Sequence, residues 1–470
     1  MIPNELATYF DGAFKDNRLN KRANKMLGSI IESCNLVINR CCGTLTEKIG
    51  TYRMLNNDKI EESRIKRQLY ENCARHVTCK HVLCIQDTSE INFTSKQGRI
   101  GKDDPDIGPV SRNSDSGFYL HPMLAIDATS HVPLGFTAVK TWNRHRDKLD
   151  KKKRAYHRQP VEEKESYRWI EVARESLTSL PGDTRQTVIA DREGDIYELF
   201  HLLPGPRCDL LIRSSSNRVL AGENSLLLEY MQSLPLAHSY QLEVKGNHSR
   251  QNRLAIMDLR YAKVEIKKPA DLKGDYPPCI SLSCIHVVEQ AQSVPAGESP
   301  VEWRLLTTHA VESVKDALQC VEWYKLRWYI EEIFRLLKSE GMNIEQAQLA
   351  SGSSLKKLTL IGLIAAWHIM TLKLALDRQE EDTPAAILFT PSQVELLMLL
   401  ARKVEGNTSK QKSPFKQNSL PWAAWIIARL AGWSGYGCHG KAGYTTLKRG
   451  YQDFRAKYQV FELVKDVYKE

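Results

Sequence analysis

Residues 186–203, with the sequence QTVIADREGDIYELFHLL, predict a strand that ends on an acid and is followed by a short helix. Residues 186–190 are β-branched and apolar, whereas residues 195–203 have the apolar spacing of a helix. Asp191 stands where the strand ends. Ligands usually bind beyond the carboxyl ends of strands in an open α/β sheet, so this acid marks a candidate site. Asp is also a common turn or cap residue, and at a single position that alternative stays open.

Further strands and helices alternate on both sides of this stretch. Strand-like runs occupy residues 81–86, 119–126, 132–139 and 208–213, and a helical run occupies residues 162–180. The first of these strands also ends on an acid, Asp87. Alternating strands and helices predict an α/β core. Residues 215–300 instead combine two-residue alternation with frequent Pro and Gly, which predicts a β-rich insertion.

Helical patterns flank this core. Residues 1–70 predict an amphipathic helical domain with one basic face, and residues 351–470 predict a second helical domain, so the core spans residues 71–350. The longest apolar run, residues 358–376, contains His368 and Lys373 and fits a buried helix better than a membrane span. We therefore expect no membrane association.

The distribution of charge is more informative than its total. The net charge is +10, from 66 basic and 56 acidic residues. Residues 140–158 contain nine Lys or Arg and two Asp, interleaved with aromatic rings. That mixture suits a nucleic-acid backbone, and a solvated basic loop without a partner is the alternative. Eleven unevenly spaced cysteines, and a beginning without a secretory pattern, indicate a reducing cytoplasm.

A long helix predicted over residues 311–339 carries a third acid. In the sequence YKLRWYIEEIFRLLK of residues 324–338, steps of three, four and seven residues place four polar side chains on one helix face: Tyr324, Arg327, Glu331 and Lys338. The acid suits a metal ion and the cations suit phosphate oxygens. A solvent-facing helix with salt bridges is the alternative. Phosphodiester cleavage with two Mg²⁺ ions needs such acids and requires no nucleophile from the protein.

These motifs resemble those of the bacterial insertion-sequence transposases of the IS-four family, and within it the Tn-five type. Residues 324–338 match the family signature Y-x2-R-x3-E-x6-K in full. The run DREGDI at residues 191–196 matches the second-acid motif, and QDT at residues 86–88 matches the first. The resemblance extends over most of the chain.

The resemblance implies an RNase H-like core interrupted by the β insertion and flanked by an N-terminal DNA-end-binding domain and a C-terminal dimerisation domain. It implies that Asp87, Asp191 and Glu331 are the catalytic residues and the ligands of Mg²⁺, with Mn²⁺ as a substitute. Near the cut DNA it places Tyr324, Arg327, Lys338, Arg213 and Trp303, the last stacking on a flipped base. It adds N-terminal DNA contacts at Arg18, Arg22 and Arg53, and the basic stretch supplies further candidates: Lys151, Lys152, Lys153 and Arg154.

The expected function is therefore cut-and-paste DNA transposition, with cleavage through a DNA hairpin and joining to target DNA. The expected partners are double-stranded DNA, both transposon ends and target, and a second copy of the chain. The expected location is the bacterial cytoplasm, at the nucleoid when DNA is bound.

Four alternatives remain open. A DNA-binding regulator without catalysis and an RNase H-like nuclease without strand transfer share most of these features. A zinc site could use a cluster of thiols and imidazoles: Cys73, His76, Cys79, His81 and Cys84. A hydrolase triad of Ser111, His121 and Asp127 lacks the G-x-S-x-G turn around its serine.

Overall fold

The computed structural model describes residues 8–96, 98–101, 103–111, 115–145, 159–222, 225–244, 246, 250–339, 341–378, 383–436 and 440–467. Lys151, Lys152, Lys153 and Arg154, four of the predicted DNA contacts, lie outside these residues.

Four helices form the N-terminal part of the chain: α1 Asn17–Ser33, α2 Ile38–Cys41, α3 Leu45–Leu55 and α4 Glu62–His76. The side chain of Asp16 caps the first turn of α1 by accepting from the Arg18 N–H. A reciprocal capping box between Thr44 and Glu47 begins α3. These caps fix where the two helices start, and their buried residues then pack them into the main hydrophobic core.

Eleven strands form one mixed sheet. They are β1 His81–Gln86, β2 Ser89–Asn92, β3 Gly108–Pro109, β4 Ser116–Asp127, β5 Pro133–Trp142, β6 Arg185–Ala190, β7 Cys208–Arg213, β8 His238–Val244, β9 Arg253–Lys267, β10 Cys279–Glu289 and β11 Glu302–Thr307. The order across the sheet is β2-β4-β1-β6-β7-β11-β10-β9-β8, and β3 and β5 also pair with β4. Strands β1, β6 and β7 run parallel to one another, and the other pairings are antiparallel.

Helices cover both faces of the parallel strands, which explains why those strands are almost wholly apolar. Side chains alternate between the faces, so Leu83 and Ile85 of β1 enter one hydrophobic cluster while Val82 and Cys84 enter another. Helix α5, Arg168–Ser179, packs on the second face through Trp169 and its neighbours. A shorter helix, α6 Tyr197–Leu202, follows the acid at the end of β6. The α/β class predicted from the sequence is confirmed as this mixed sheet with helices.

The predicted β-rich stretch after β7 contains helix α7, Leu227–Ser233, and strands β8 to β10. These strands continue the same sheet instead of forming a separate one, because β10 pairs with β11 and β11 pairs with β7. The chain thus leaves β7, builds one edge of the sheet and returns beside β7.

The predicted long helix is wrong in one respect, because the structure divides it into α8 Val314–Lys325 and α9 Trp328–Lys338. Around Leu326 and Arg327 the backbone bonds tighten from i→i−4 to i→i−3, as in Arg327 N–H to Tyr324 O at 3.0 Å. Tyr324 and Glu331 therefore belong to two successive helices and not to one face of a single helix.

Helices complete the chain: α10 Gly352–Arg378, α11 Pro391–Val404, α12 Leu420–Leu430 and α13 Tyr444–Val467. By length and composition α10 could cross a membrane, but 83% of its most apolar window is buried inside the protein. This agrees with the predicted buried helix, which here packs against α1, α9 and α12.

Candidate active site

Two acids lie side by side at the carboxyl ends of neighbouring parallel strands. Strands β1 and β6 pair in register, with Ile85 opposite Ile189. Two residues further on, Asp87 and Asp191 therefore stand level. Because side chains alternate between the faces of a sheet, both acids lie on the same face as these isoleucines. That face packs against the hydrophobic cluster that also contains the buried residues of α9. The sheet register thus brings together two acids that are far apart in the sequence.

Glu331 reaches the same place from the first turn of α9. The positive end of the helix dipole lies there and favours a carboxylate. The guanidinium of Arg327 connects this acid to the sheet, since Nη1 donates to Asp87 Oδ2 at 3.3 Å and Nη2 donates to Glu331 Oε1. Arg327, a predicted phosphate contact, therefore bridges two of the predicted acids, and the third, Asp191, follows the neighbouring strand level with Asp87.

Burial and the neighbouring acids oppose the ionisation of Asp87. Burial, the negative charge of Asp191 and that of Glu331 raise the pKa of Asp87 to about 7, although the Thr88 N–H and Arg327 oppose the shift. Thr88 N–H donates to Asp87 Oδ1 at 2.7 Å. The Asp191 carboxylate accepts from the Glu193 N–H at 2.9 Å. The positive charge of Arg327 therefore does not cancel the effect of burial and the neighbouring acids on the pKa of Asp87.

The donor set fits hard divalent ions, because its side chains offer only carboxylate oxygens and repel one another when ionised. As placed here, with the Arg327 guanidinium between them, the acids are not close enough to one another to hold an ion. Across the described residues, no set of three or more His, Cys, Asp or Glu side chains is so arranged. Ion binding at Asp87, Asp191 and Glu331 would thus require the Arg327 side chain to move.

An aromatic and cationic cluster lies beside the acids. The Trp303 and Tyr324 rings meet edge to face with centroids 5.7 Å apart, and the Arg327 guanidinium lies 6.0 Å from the Tyr324 centroid. Burial raises the pKa of the Tyr324 hydroxyl, while Arg327 and Arg213 oppose that shift. Arg213 is itself held by a 2.8 Å bond to the Glu302 carbonyl. Trp303, Tyr324, Arg327 and Arg213 therefore form one contact group beside the acids.

Lys338 ends α9, seven residues beyond Glu331, on the same side of that helix. It is half-buried, and its position two turns from the acid is compatible with the predicted phosphate contact.

Two residues at this site were missed in the sequence. Arg168 begins α5 and joins the segments that follow the two strand-end acids, donating to Thr88 Oγ1 at 2.9 Å and to Glu193 Oε2 at 2.6 Å. Trp328 begins α9 and is 57% exposed beside Arg327. An Arg or a Trp in a helical pattern is common and does not by itself indicate a site. The only sequence clue to these two residues is that each lies beside or within a motif already identified.

The N-terminal cations occupy different environments. Arg18 is exposed and pairs with Asp16 at 2.9 Å. Arg22 lies against α3, where a Cβ on Gly50 would stand 2.7 Å from its guanidinium carbon. Arg53 is exposed on the last turn of α3. Among the contacts that the structure describes, none joins these three side chains to the acids.

The zinc alternative does not fit the structure. His76 Nδ1 lies 2.9 Å from the Leu134 carbonyl, and His81 Nε2 lies 2.8 Å from Thr187 Oγ1. Cys73 and Cys84 are in the apolar cluster, and burial raises the pKa of Cys84 to about 12. Among the described residues, these thiols and imidazoles form no group of three or more that could hold a metal ion.

The hydrolase alternative also fails. His121 is fully buried and bonds to Thr88 Oγ1 and Gln86 Oε1. Ser111 instead bonds to Glu90, and Asp127 caps a turn through the Thr129 and Ser130 N–H groups. A catalytic triad needs these three side chains to bond in sequence, and each has another partner.

Comparison with protein-family models gave two matches. Residues 8–60 match the transposase DNA-binding family, and residues 169–367 match the transposase DDE domain family. The second match contains Asp191 and Glu331, whereas Asp87, which follows the strand beside that of Asp191, precedes the matched range. A DDE domain implies an RNase H-like core and an enzyme that generally uses divalent metal, and the other domain makes DNA a partner.

Proposed function

We propose that this chain, a DDE transposase with its own DNA-binding domain, performs cut-and-paste transposition of the IS-four type. The observation that carries the proposal is the meeting of Asp87 and Asp191, level on adjacent strands, with Glu331 on the far side of Arg327. Strand-end acids and a helical acid around one point suit phosphoryl transfer on DNA.

Asp87, Asp191 and Glu331 would hold Mg²⁺ or Mn²⁺, which when bound supply an activated nucleophile and neutralise charge on the reacting phosphate. The chain's own groups do the rest. Arg213, Arg327 and Lys338 would provide cations for phosphate oxygens, and the buried Tyr324 hydroxyl lies beside Arg213 and Arg327. Arg168 holds the two acid-bearing segments relative to each other.

The reaction would proceed by successive exchanges at phosphorus. Water first attacks a phosphodiester at the transposon end and releases a 3′-hydroxyl. That hydroxyl then attacks the opposite strand, so that one P–O bond forms as another breaks and a hairpin results. Water reopens the hairpin, and the freed 3′-hydroxyl attacks target DNA. Each transesterification conserves the number of phosphodiester bonds, so no external energy source is needed.

The hairpin step is supported by the aromatic residues around the acids. A tight hairpin strains base stacking, and a base moved out of the stack needs a flat apolar surface. Trp303 is half-buried against Tyr324, and Trp328 is exposed at the start of α9. We propose that Trp303 stacks on the flipped base and that Trp328 contacts the adjoining DNA. A nuclease without hairpin formation would give neither ring a role.

A second copy of the chain would pair the two ends. The end of α13 exposes an apolar stripe at Val460, Leu463, Val464 and Val467, with exposures of 60%, 67%, 47% and 69%. Apolar side chains at this spacing share one helix face. Such a face is typical of a self-complementary helix contact. We infer a homodimer in the DNA complex, acting at the nucleoid of the bacterial cytoplasm.

The decisive experiment uses DNA carrying the inverted repeats that flank the gene. With Mg²⁺, the chain should produce nicked, hairpin and joined products, separable on denaturing gels. Glu331→Gln should reduce every product by at least about 10³-fold, because it removes one of three ligands. Glu332→Gln is the matched control, since Glu332 pairs with Arg335.

Three outcomes would contradict the proposal in different ways. Undiminished cleavage by Glu331→Gln would remove the acid from catalysis. DNA binding without any cutting in Mg²⁺ or Mn²⁺ would favour a regulator. Nicked DNA without hairpin or joined products would favour a nuclease without strand transfer.

A further inference from the structure

A fully buried histidine, His121, lies behind the turn that carries the first acid. On β4 it stands between the residues that pair with Gln86 of β1 and with Ser89 of β2. Strand β4 therefore runs past residues 87–88, which join β1 to β2. The imidazole meets the edge of the Trp169 ring, with centroids 4.7 Å apart. His121 is thus enclosed between the sheet and α5, next to the acid-bearing turn.

The hydrogen bonds around His121 form a chain in which each group has one possible role. Gln86 Nε2 donates to the Trp169 carbonyl at 3.1 Å, which leaves Gln86 Oε1 as the acceptor for His121. His121 Nε2 lies 3.0 Å from that oxygen and must carry the proton. Nδ1 of a neutral imidazole is then bare, and it accepts from the Thr88 hydroxyl at 2.7 Å. The lone pairs of Thr88 Oγ1 remain for Arg168, whose Nε donates at 2.9 Å.

The surroundings keep this imidazole neutral. Burial lowers the pKa of His121 well below its ordinary value, and the positive charges of Arg168 and Lys140 act in the same direction. Nδ1 therefore remains an acceptor at neutral pH, and the direction of the chain does not reverse.

The chain ends on the turns that carry two of the acids. Thr88 N–H donates to Asp87 Oδ1 at 2.7 Å. Arg168 Nη2 donates to Glu193 Oε2 at 2.6 Å, and Glu193 N–H donates to Asp191 Oδ1 at 2.9 Å. A fixed Thr88 side chain therefore restrains the backbone that holds the Asp87 carboxylate. Hydrogen bonds of this kind orient carboxylates that bind metal.

We propose that His121 is a positioning residue, which by accepting from Thr88 orients Asp87 for metal binding. Through Arg168 the same contact restrains the turn that carries Asp191. This role rests on the proposed function, because it explains how the chain holds the acids of the site that would cut DNA. His121 is buried and acts through Thr88, not on the DNA itself.

Two substitutions of His121 separate positioning from packing. Asn places its carbonyl oxygen where the imidazole has Nδ1, so His121→Asn keeps the acceptor for Thr88. Gln places its amide nitrogen where the imidazole has Nε2, so His121→Gln keeps only the donor to Gln86. Gln fills more of the histidine volume, and a packing role alone predicts that it is the better tolerated. The positioning role predicts the opposite order.

The first measurement is Mn²⁺ binding to the DNA-free full chain, by electron paramagnetic resonance. His121→Gln should weaken binding by about 10- to 100-fold, whereas His121→Asn should stay within about threefold of the native chain. Thr88→Val and Thr88→Ser repeat the comparison at a half-buried position, where a change puts folding at less risk. The valine variant lacks the hydroxyl and should behave as His121→Gln does. His76→Gln, at a buried histidine of α4 bonded to Leu134, is the control.

Three further measurements use the same variants. Cleavage of DNA carrying the inverted repeats should follow the same order, with unchanged affinity for that DNA in EDTA. Thr88→Val combined with His121→Gln should weaken Mn²⁺ binding no further than either change alone, because both remove one contact. The nitrogen NMR spectrum of the native chain, assigned by comparison with His121→Asn, should show a protonated Nε2 and a bare Nδ1 at neutral pH.

Several results would overturn the positioning role. Native Mn²⁺ affinity in His121→Gln, or a smaller loss in His121→Gln than in His121→Asn, would leave His121 with packing alone. A protonated Nδ1 would contradict the direction of the chain. Losses that multiply in the double variant would give Thr88 and His121 separate roles. A chain that shows the expected order in Mn²⁺ binding but cuts no DNA would support the positioning role and contradict the proposed function.

Discussion

Replacing Asp87 by Asn should stabilise the metal-free protein, and more so at pH 8 than at pH 5. The pKa of Asp87 rises from 3.8 to about 7 on folding, mainly through burial and secondly through Asp191. Between these values the folded protein retains a proton that the unfolded chain has lost. The free energy of unfolding of the native chain therefore falls as the pH rises from about 4 to 7. Above pH 7 Asp87 is charged in both the folded and the unfolded chain, so its destabilising effect no longer changes with pH.

The magnitude follows from the two pKa values. With about 1.36 kcal/mol per pKa unit, the ionisable carboxyl of Asp87 lowers the free energy of unfolding, relative to a neutral side chain, by roughly 4 kcal/mol at pH 8 and by roughly 2 kcal/mol at pH 5. Asp87→Asn removes that cost because the amide stays neutral. The stability advantage of the variant over the native chain should thus grow by about 2 kcal/mol from pH 5 to pH 8.

Urea unfolding in EDTA, followed by circular dichroism at pH 5, 6, 7 and 8, measures this difference. Asp103→Asn is the control, since Asp103 is exposed on a separate loop. Excess Mg²⁺ at pH 8 should narrow the gap, because an ion bound to the folded form stabilises the native chain by mass action. A pH-independent difference, or a variant less stable than the native chain at pH 8, would refute the electrostatic reasoning.

Two other predictions concern Arg327 and the α13 stripe. Arg327→Gln should raise the Mn²⁺ affinity of the DNA-free protein about tenfold, because it removes a cation that is bonded to Asp87 and Glu331, two of the proposed ligands. Electron paramagnetic resonance measures this affinity, and Arg335→Gln is the control. An affinity that Arg327→Gln leaves unchanged would contradict the prediction. Leu463→Lys with Val467→Lys should leave single chains bound to single DNA ends, whereas the native protein should form a complex of two chains and two ends, as measured by sedimentation. Leu399→Lys on α11 is the control and should keep the paired complex. A paired complex in the double variant would place the dimer contact elsewhere.

The strand-end acids were predictable because each follows a short apolar run, and such a run fixes where a buried strand ends. The convergence of Asp87 with Asp191 was not predictable from either run, since it depends on the pairing of β1 with β6. The family resemblance supplied that link before the structure did. The division of the predicted helix at Leu326 was hidden, because the local sequence has neither Pro nor Gly.

Side-chain partners were the least predictable features. Arg327 was expected at a phosphate, and in the DNA-free chain it bonds to two acids instead. The exposure of Leu45 and Ile49 contradicts the usual reading of apolar residues in a helix, which assigns them to the core. Both features depend on how segments distant in the sequence pack, and a local sequence pattern does not show that packing.

The direct pairing of β7 with β11 has a consequence for how this chain tolerates changes of length. Arg213 lies opposite Leu305, so the excursion through α7 and β8 to β10 begins and ends at neighbouring strands. Residues can be gained or lost at the outer edge of that excursion while the path from β11 through α8 to Glu331 stays in place. An insertion within β1 or β6 has the opposite effect, because a shift of one residue turns an acid to the other face of the sheet. Natural length variation should therefore concentrate in the excursion, where new surfaces for DNA can be added without altering the chemistry.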